Sequence, residues 1–380
     1  MKVGLVLERF DPTAGGLERW TFGFAQFLAA QGHDPHVLAF DAVPDPPAPV
    51  HRLQPARTTL ARARSAAAGV DALGADVVLD TGTGTGGDVF MPCTGSRRWS
   101  QQRLVATHKT LMRLRAALSP RSRALDLALA VLERQQVRRA RHIVAVSMLV
   151  RDLLLRQHKI EPSRISVVPN GVDTARFAPE RLAPLRERMR AELGVGDGVL
   201  FLGSAHNMWL KGMDTAIRAL DLLVFEEADV HLAIAGSTPD ETWIRMAAES
   251  GSRIRFLGPV DDIAPLFAAA DALVHPTRWD ACSLSTIEAG AAGLPAITTV
   301  RNGASELIQD GETGFVLTDP DDVGALAERM RRLLDPALRQ RMGAAAREAS
   351  RGHDVQANYA AVLAILAANS RGRSAGAASS

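Results

Sequence analysis

Most of the recognisable chemistry in these 380 residues sits in one stretch: Arg278-Trp279-Asp280-Ala281-Cys282-Ser283-Leu284-Ser285-Thr286-Ile287-Glu288. It follows a short apolar run at 272–274. Asp280 falls in a loop, Ser283 can cap a helix, and Glu288 lies in that helix's second turn. Eight residues apart, the two carboxylates can address the two ends of a ligand lying across the helix start. Backbone N–H groups at Ser283, Leu284 and Ser285 suit a diphosphate between them. A carboxylate such as Glu288 can accept both hydroxyls of a ribose, although an acid near a helix start is also favoured by the dipole alone. Lys211 supplies the complementary cation. It follows an apolar run at 199–202 through a loop and precedes Gly212 at a helix start. Lysine is a compact charge suited to phosphate, but a lone loop lysine is commonly just solvated, so its case depends on the carboxylate pair.

Two glycine loops compete for attention. Gly15 and Gly16 open a helix and allow close approach by an anion, or simply make a tight turn. Residues 81–87 carry Gly82, Gly84, Gly86 and Gly87 after a strand. No Lys-Ser/Thr follows and no helix starts there, so neither a P-loop nor a dinucleotide loop is expected. A flexible loop at a cleft edge fits better. The ten histidines are scattered without metal-ligand spacing, so no metal site and no cofactor are expected. Cys93 and Cys282 are far apart and read as free thiols of a cytosolic protein.

These residues need a frame. The length suits two domains, and 47% hydrophobic with 23% charged residues is an ordinary globular composition. That excludes a disordered chain or a disulfide mini-scaffold. No uninterrupted apolar run of about 18 residues suggests a spanning helix, and the N-terminus reads as a buried strand rather than a secretion signal. Short apolar runs at 2–7, 36–40, 76–80, 141–147 and 165–168 alternate with helical patterns. A cleaner alternation follows at 199–202, 230–235, 254–257, 272–274, 296–299 and 314–317. Two such blocks predict an α/β chain with two Rossmann-like, doubly wound parallel-sheet domains facing across a cleft. The expected boundaries are 1–172, a linker at 173–195, a second domain at 196–350, a helix at 351–370 returning to the first domain, and a disordered tail at 371–380. Ligands of such sheets sit beyond the carboxyl ends of the strands.

Net charge is only +2, yet residues 97–142 hold twelve Lys/Arg against Asp126 and Glu133. So compact a basic patch suggests a polyanionic partner. Leucines are frequent there and Trp99 is the one aromatic, which fits an anionic membrane surface better than stacked bases. Arg113, Arg121, Arg123, Arg138, Arg139 and Arg141 are the expected membrane contacts, and no nucleic-acid partner is expected. A solvated arginine-rich helix pair is the plainer reading. Each cation near an anionic leaflet contributes about 1 kcal/mol.

The pattern Phe267-Ala-Ala-Ala-Asp271-Ala-Leu-Val-His275-Pro276, then Asp280-x7-Glu288-Ala-Gly-Ala-Ala-Gly293-Leu-Pro295, resembles the C-terminal domain of retaining glycosyltransferase family 4. So do Asn207…Lys211-Gly212, Val144-Ala-Val-Ser147-Met148 and Val168-Pro169-Asn170-Gly171-Val172-Asp173. Gly15-Gly16-Leu17-Glu18-Arg19 looks like the family's N-terminal glycine loop. Within the family the chain looks most like the hexosyltransferases of the lipopolysaccharide core. The resemblance implies a GT-B fold, a metal-independent retaining transfer, a nucleotide-diphosphate sugar donor (a UDP-sugar) and a glycan or glycolipid acceptor. It places the enzyme in the cytoplasm, peripheral on the inner face of the cytoplasmic membrane. It implies catalytic roles for Lys211, Asp280 and Glu288, and substrate contacts at Gly15, Gly16, Arg19, Thr94, Asn207, Ser283, Leu284 and Ser285. Asp280 stands where the family's motif carries Glu, one methylene shorter. The places of the family's arginine before the lysine hold Trp209 and Leu210, which leaves Lys211 as the main side-chain cation unless Arg278 assists. An epimerase or a non-catalytic nucleotide-sugar binder of the same architecture are the alternatives.

Overall fold

The computed structural model describes residues 1–84, 86–106, 119–248 and 250–371, which divide into two compact units. The first comprises Met1–Pro169 and Gln356–Ser380, the second Asn170–Val355.

In the first unit seven strands form one parallel sheet: β1 (Lys2–Val6), β2 (Asp34–Ala39), β3 (Val50–Arg52), β4 (Val77–Asp80), β5 (Val89–Phe90), β6 (His142–Ala145) and β7 (Ile165–Val167). Their spatial order is β3-β2-β1-β4-β5-β6-β7. The central strands bury nearly every side chain, as a sheet covered on both faces requires. The helix Thr59–Leu73 crosses over from β3 to β4, but its weak apolar periodicity hides it in the sequence. The basic region supplies helices Arg97–Ala106 and Pro120–Arg139. Arg113 lies outside the described residues, as does the expected tail beyond Arg371.

The second unit has six parallel strands: β8 (Val199–Ala205), β9 (Val230–Gly236), β10 (Ile254–Gly258), β11 (Ala272–Val274), β12 (Ala296–Thr299) and β13 (Gly314–Leu317), ordered β10-β9-β8-β11-β12-β13. Both sheets share the doubly wound 3-2-1-4-5-6 order, whose switch point lies between the first and fourth strands. In the second unit that point is β8 beside β11, joined through Phe201–Ala272 and Leu202–Leu273.

The stretch expected to be a linker instead carries the helix Pro179–Leu193, part of the second unit. Arg186 and Arg190 fasten it. Their guanidinium groups donate to Asp271 at 2.6 and 3.0 Å and to the carbonyls that end the helix Ala264–Ala269. The polar run that reads as a spacer is therefore an arginine clasp over carbonyls a helix end leaves unsatisfied. The final helix, Val355–Ala368, begins slightly later than expected. Asn358 accepts from the Trp20 indole at 2.7 Å, and Tyr359 donates to the Trp20 carbonyl at 3.2 Å.

Candidate functional site

The carboxyl ends of β8 and β11 bring the charged residues together. After β8 the chain makes a loop at 206–212. The Asn207 side chain accepts the Leu210 N–H at 2.9 Å and its carbonyl accepts the Lys211 N–H at 3.0 Å. Asn207, expected to touch substrate, thus builds the turn that presents Lys211. The loop is fastened to the strand beyond β11: Leu210 O accepts from Thr277 Oγ1 at 3.1 Å and from the Arg278 N–H at 2.8 Å. Gly212 closes the loop with φ +70°, and a Cβ there would sit 2.0 Å from Pro276 O. Only glycine permits that approach.

Lys211 Nζ donates to Asp280 Oδ2 at 2.5 Å, with both side chains about four-fifths buried. His275, 1% exposed, places Nε2 at 3.2 Å from the same oxygen. Its Nδ1 is buried without a partner. Burial alone would raise the Asp280 carboxyl. The Lys211 ammonium and the His275 hydrogen bond outweigh it and hold Asp280 well below the usual carboxylate range. Burial pushes the His275 imidazole down despite Asp280. The neutral ring therefore donates Nε2–H to a charged carboxylate. His275 is a site residue that its own spacing does not advertise, beyond the His-Pro pair five residues before the acid.

Arg278 is not available to a ligand. It pairs with Asp214 at 2.7 and 2.9 Å, donates to Asp321 at 2.8 Å and reaches Trp209 O at 2.5 Å. Its work is to hold the loop that carries Lys211.

Four residues after Asp280, the chain enters the helix Leu284–Ala291. Ser283 caps it, its hydroxyl accepting the Thr286 N–H at 3.3 Å. The Ser283 N–H was expected to be open to a ligand, but it donates to Asn302 Oδ1 at 3.1 Å. Asn302 is fully buried. Its oxygen also takes the Ala304 N–H, and its amide nitrogen donates to Thr286 and Thr298 at 3.0 Å. This side chain pins the helix start, and nothing in its sequence setting marks it. Leu284 and Ser285 keep their N–H groups unpaired among the described hydrogen bonds and are half-buried. The anion-binding capacity of the helix is thus two donors rather than three. Glu288 is buried in the second turn and makes none of the hydrogen bonds of Lys211 or Asp280. Burial pushes the Cys282 and Cys93 thiols up to about 12, which leaves both protonated and inert at neutral pH.

In the first unit, Gly15 is the residue before the helix Gly16–Ala30, and Arg19 is exposed in its first turn. In the glycine loop after β4, residues 82–84 are fastened to the strand end. Asp80, 2% exposed, draws the N–H groups of Gly82, Thr83 and Gly84 onto Oδ1 at 2.9, 3.0 and 3.0 Å. Those donors are spent on the protein's own carboxylate.

The basic region is partly neutralised. Arg98 and Gln102 bind Asp126, and Arg141 lies 3.7 Å from Asp88 and donates to Asn369 O. Arg141, expected at the membrane, therefore also ties strand β6 to the last helix. Arg121, Arg123, Arg138 and Arg139 are exposed, and Leu127 beside them is 66% exposed. Among the described residues no helix is long and apolar enough to cross a membrane.

Residues 14–176 match the family model for Glycosyltransferase Family 4, and 196–336 that for Glycosyl transferases group 1. The chain is 32% identical over 293 residues to the D-inositol 3-phosphate glycosyltransferase of Xylanimonas cellulosilytica, covering 74% of this chain and 69% of that protein. It is 31% identical over 267 residues to the protein of the same name from Streptomyces scabiei, covering 66% of this chain but only 59% of that relative's length. The solved structure of WaaG, a glycosyltransferase involved in lipopolysaccharide biosynthesis, superposes with a TM-score of 0.79 at 24% identity, over 96% of this chain and 99% of that one. Two Rossmann-like parallel-sheet units of the GT-B type are the fold.

Proposed function

On the premise that the chain belongs to glycosyltransferase family 4, we propose that it moves a hexose from a UDP-sugar to a lipid-linked or lipopolysaccharide-type glycan at the inner face of the cytoplasmic membrane. Configuration is retained and no metal takes part. The observation that carries this reading is the 2.5 Å contact of Lys211 with Asp280, set beside a helix start with two unpaired N–H groups. An ammonium and a helix amino end are the donors that stabilise charge growing on a departing diphosphate.

The ion pair gives the mechanism an order. Without donor, Asp280 holds Lys211 in place. A bound diphosphate takes over the ammonium together with the Leu284 and Ser285 N–H groups. Asp280, still steadied by His275, then accepts a hydroxyl of the transferred sugar, and Glu288 takes the ribose. The bond from the anomeric carbon to the phosphate oxygen breaks and the acceptor oxygen bonds to that carbon from the same face. The departing phosphate oxygen takes the acceptor's proton. The first unit holds the acceptor. The exposed Leu127 and the arginines of helix Pro120–Arg139 rest on anionic lipid.

A second acceptor class is favoured by the similarity to the two D-inositol 3-phosphate glycosyltransferases: a small phosphorylated cyclitol. The test is a panel of UDP-, GDP- and ADP-sugars for thermal stabilisation, with the stabilising donor then offered to a lipid-linked glycan and to inositol 3-phosphate, with and without chelator. Lys211→Ala and Glu288→Ala should each abolish transfer in a folded protein. Turnover at the wild-type rate in either removes the site assignment, and conversion of the donor without any acceptor favours an epimerase.

A further inference from the structure

Two arginines and one acid meet where the first sheet can hold a ligand. β1 and β4 lie side by side, pairing Val6 with Asp80, and the crevice beyond their carboxyl ends is the switch point of that sheet. Glu8 stands two residues past β1. Its carboxylate is shared between two cations: Oε2 lies 2.7 Å from Arg62 Nη2, and Oε1 lies 4.0 Å from Arg97 Nη2. Arg62 belongs to the first turn of the helix Thr59–Leu73, and its guanidinium sits over the ring of Phe40, the residue after β2, at 4.3 Å. Arg97 opens the helix Arg97–Ala106, and its Nη1 donates to Gly82 O at 3.0 Å.

An arginine–carboxylate pair built for stability closes fork to fork, with two parallel hydrogen bonds. Here Arg62 brings Nη2 to Glu8, while Nε, the prong beside it, is buried with no hydrogen-bond partner among the described residues. Two guanidinium groups face one carboxylate, which leaves a positive charge over. All three side chains are more than a third exposed, so an anion from solvent can reach them. The gap says which anion. A planar carboxylate already stands between the two forks and comes no nearer than 4.0 Å to the second. A phosphate group is tetrahedral, and its several oxygens can serve two forks that one carboxylate cannot. We propose that Arg62 and Arg97 take a phosphate group carried by the acceptor, and that Glu8 holds the two cations in place until it arrives. The proposal rests on the first unit being the acceptor side. The phosphate can belong to a free phosphorylated polyol or to a lipid headgroup, because the recognising chemistry is the same.

The experiment titrates the full chain by calorimetry with two probes, D-myo-inositol 3-phosphate and dihexanoyl phosphatidylinositol below its micelle concentration, with neutral myo-inositol as the control. At least one phosphorylated probe should bind the wild type about ten-fold or more above myo-inositol, as charge-assisted pairing requires. The first probe points to a free phosphorylated polyol and the second to a lipid headgroup. Arg62→Gln should weaken that binding at least about ten-fold, because a neutral amide cannot replace a charged fork. Glu8→Gln should tighten it several-fold, because it removes the like charge that competes for both arginines. A cluster that serves only the fold does not bind more tightly when its acid is lost. Wild-type affinity in folded Arg62→Gln, unchanged or weaker binding in Glu8→Gln, or no preference for a phosphorylated probe overturns the proposal. Should Arg62→Gln not fold, Glu8→Gln decides alone. The same titration in Lys211→Ala separates this cluster from the second unit's cation: binding that persists supports the proposal, and binding lost there overturns it. A UDP-glucose titration of the wild type is kept separate. Its failure defeats the donor reading, whereas Arg62-dependent phosphate binding stands without it.

Discussion

Gly212→Ala tests the site without touching anything that meets a ligand. The residue holds φ +70°, where a side chain costs about 1–2 kcal/mol. The added Cβ would stand 2.0 Å from Pro276 O and 2.9 Å from its carbonyl carbon, against ordinary contact that begins at 3.4 Å. Backbone cannot swing aside like the tip of a lysine, so in a close-packed interior the loop or the Pro276 peptide must retreat by more than ~1 Å. Pro276 leads straight into Thr277, which clamps Leu210, the neighbour of Lys211. A displacement of ~1 Å in a positioning group costs on the order of 10²-fold in rate. We expect Gly212→Ala to melt a few degrees lower, to bind UDP-glucose at least ten-fold more weakly by calorimetry, and to lose about two orders of magnitude in turnover. Gly311→Ala is the control: its φ is +83° but no atom lies within 4 Å of the added carbon. It should cost stability and spare binding. Folded Gly212→Ala with wild-type affinity and turnover would refute the claim that this close approach places the cation.

The Lys211–Asp280 pair can be weighed by a mutant cycle. Lys211→Met leaves a largely buried carboxylate with only His275, and removing one partner of a buried pair costs about 3–5 kcal/mol, so a loss of roughly 2–4 is expected here. The double variant Lys211→Met/Asp280→Asn should be more stable than Lys211→Met in denaturant melts, and a double variant less stable than either single sinks the reasoning. His275 is held neutral in the fold, its value depressed below the unfolded one, so its contribution is present above about pH 6.5 and fades as the pH falls below that. Scanning calorimetry from pH 7.5 to 5 should show a shallower decline for His275→Gln than for wild type, and equal slopes would remove His275 from the account. On the exposed face of helix Pro120–Arg139, Leu127→Ser with Arg138→Gln should reduce sedimentation with anionic vesicles several-fold, and unchanged sedimentation makes the helix a solvated surface.

The strands were legible because burial on both faces writes them as apolar runs. Residues 272–274 and 296–299 appear in the structure as read. The helix Pro179–Leu193 was hidden for the opposite reason. Its stability comes from arginines reaching carbonyls of another helix, and such a bond leaves no periodic trace. The same contrast runs through the site. Lys211 and Asp280 are visible as charges beyond strand ends, and the structure pairs them, while Ser283 is visible as a cap and does cap its helix. Asn207 and Arg278 have the right types for substrate contacts, but the Asn207 side-chain oxygen takes a backbone N–H and Arg278 is engaged by Asp214, Asp321 and the Trp209 carbonyl. Asn302 and Gly212 act through where they sit in space. The glycine run after β4 looks like an anion loop because backbone amides do converge on an oxygen there, and only coordinates show that the oxygen belongs to Asp80.

The chain leaves the first unit at Pro169 and re-enters it at Gln356. The two passages are stitched side by side, the Val172 N–H donating to His353 O at 3.0 Å and the Val355 N–H to Val172 O at 2.9 Å. Gly23 leaves room for Tyr359, whose hydroxyl would sit 2.3 Å from any Cβ there. On the ribosome, then, the polypeptide's middle is finished before its beginning. At about 5–20 residues per second, the nascent N-terminal sheet must wait with Trp20 uncovered by Asn358 and Tyr359 while the whole intervening unit is made.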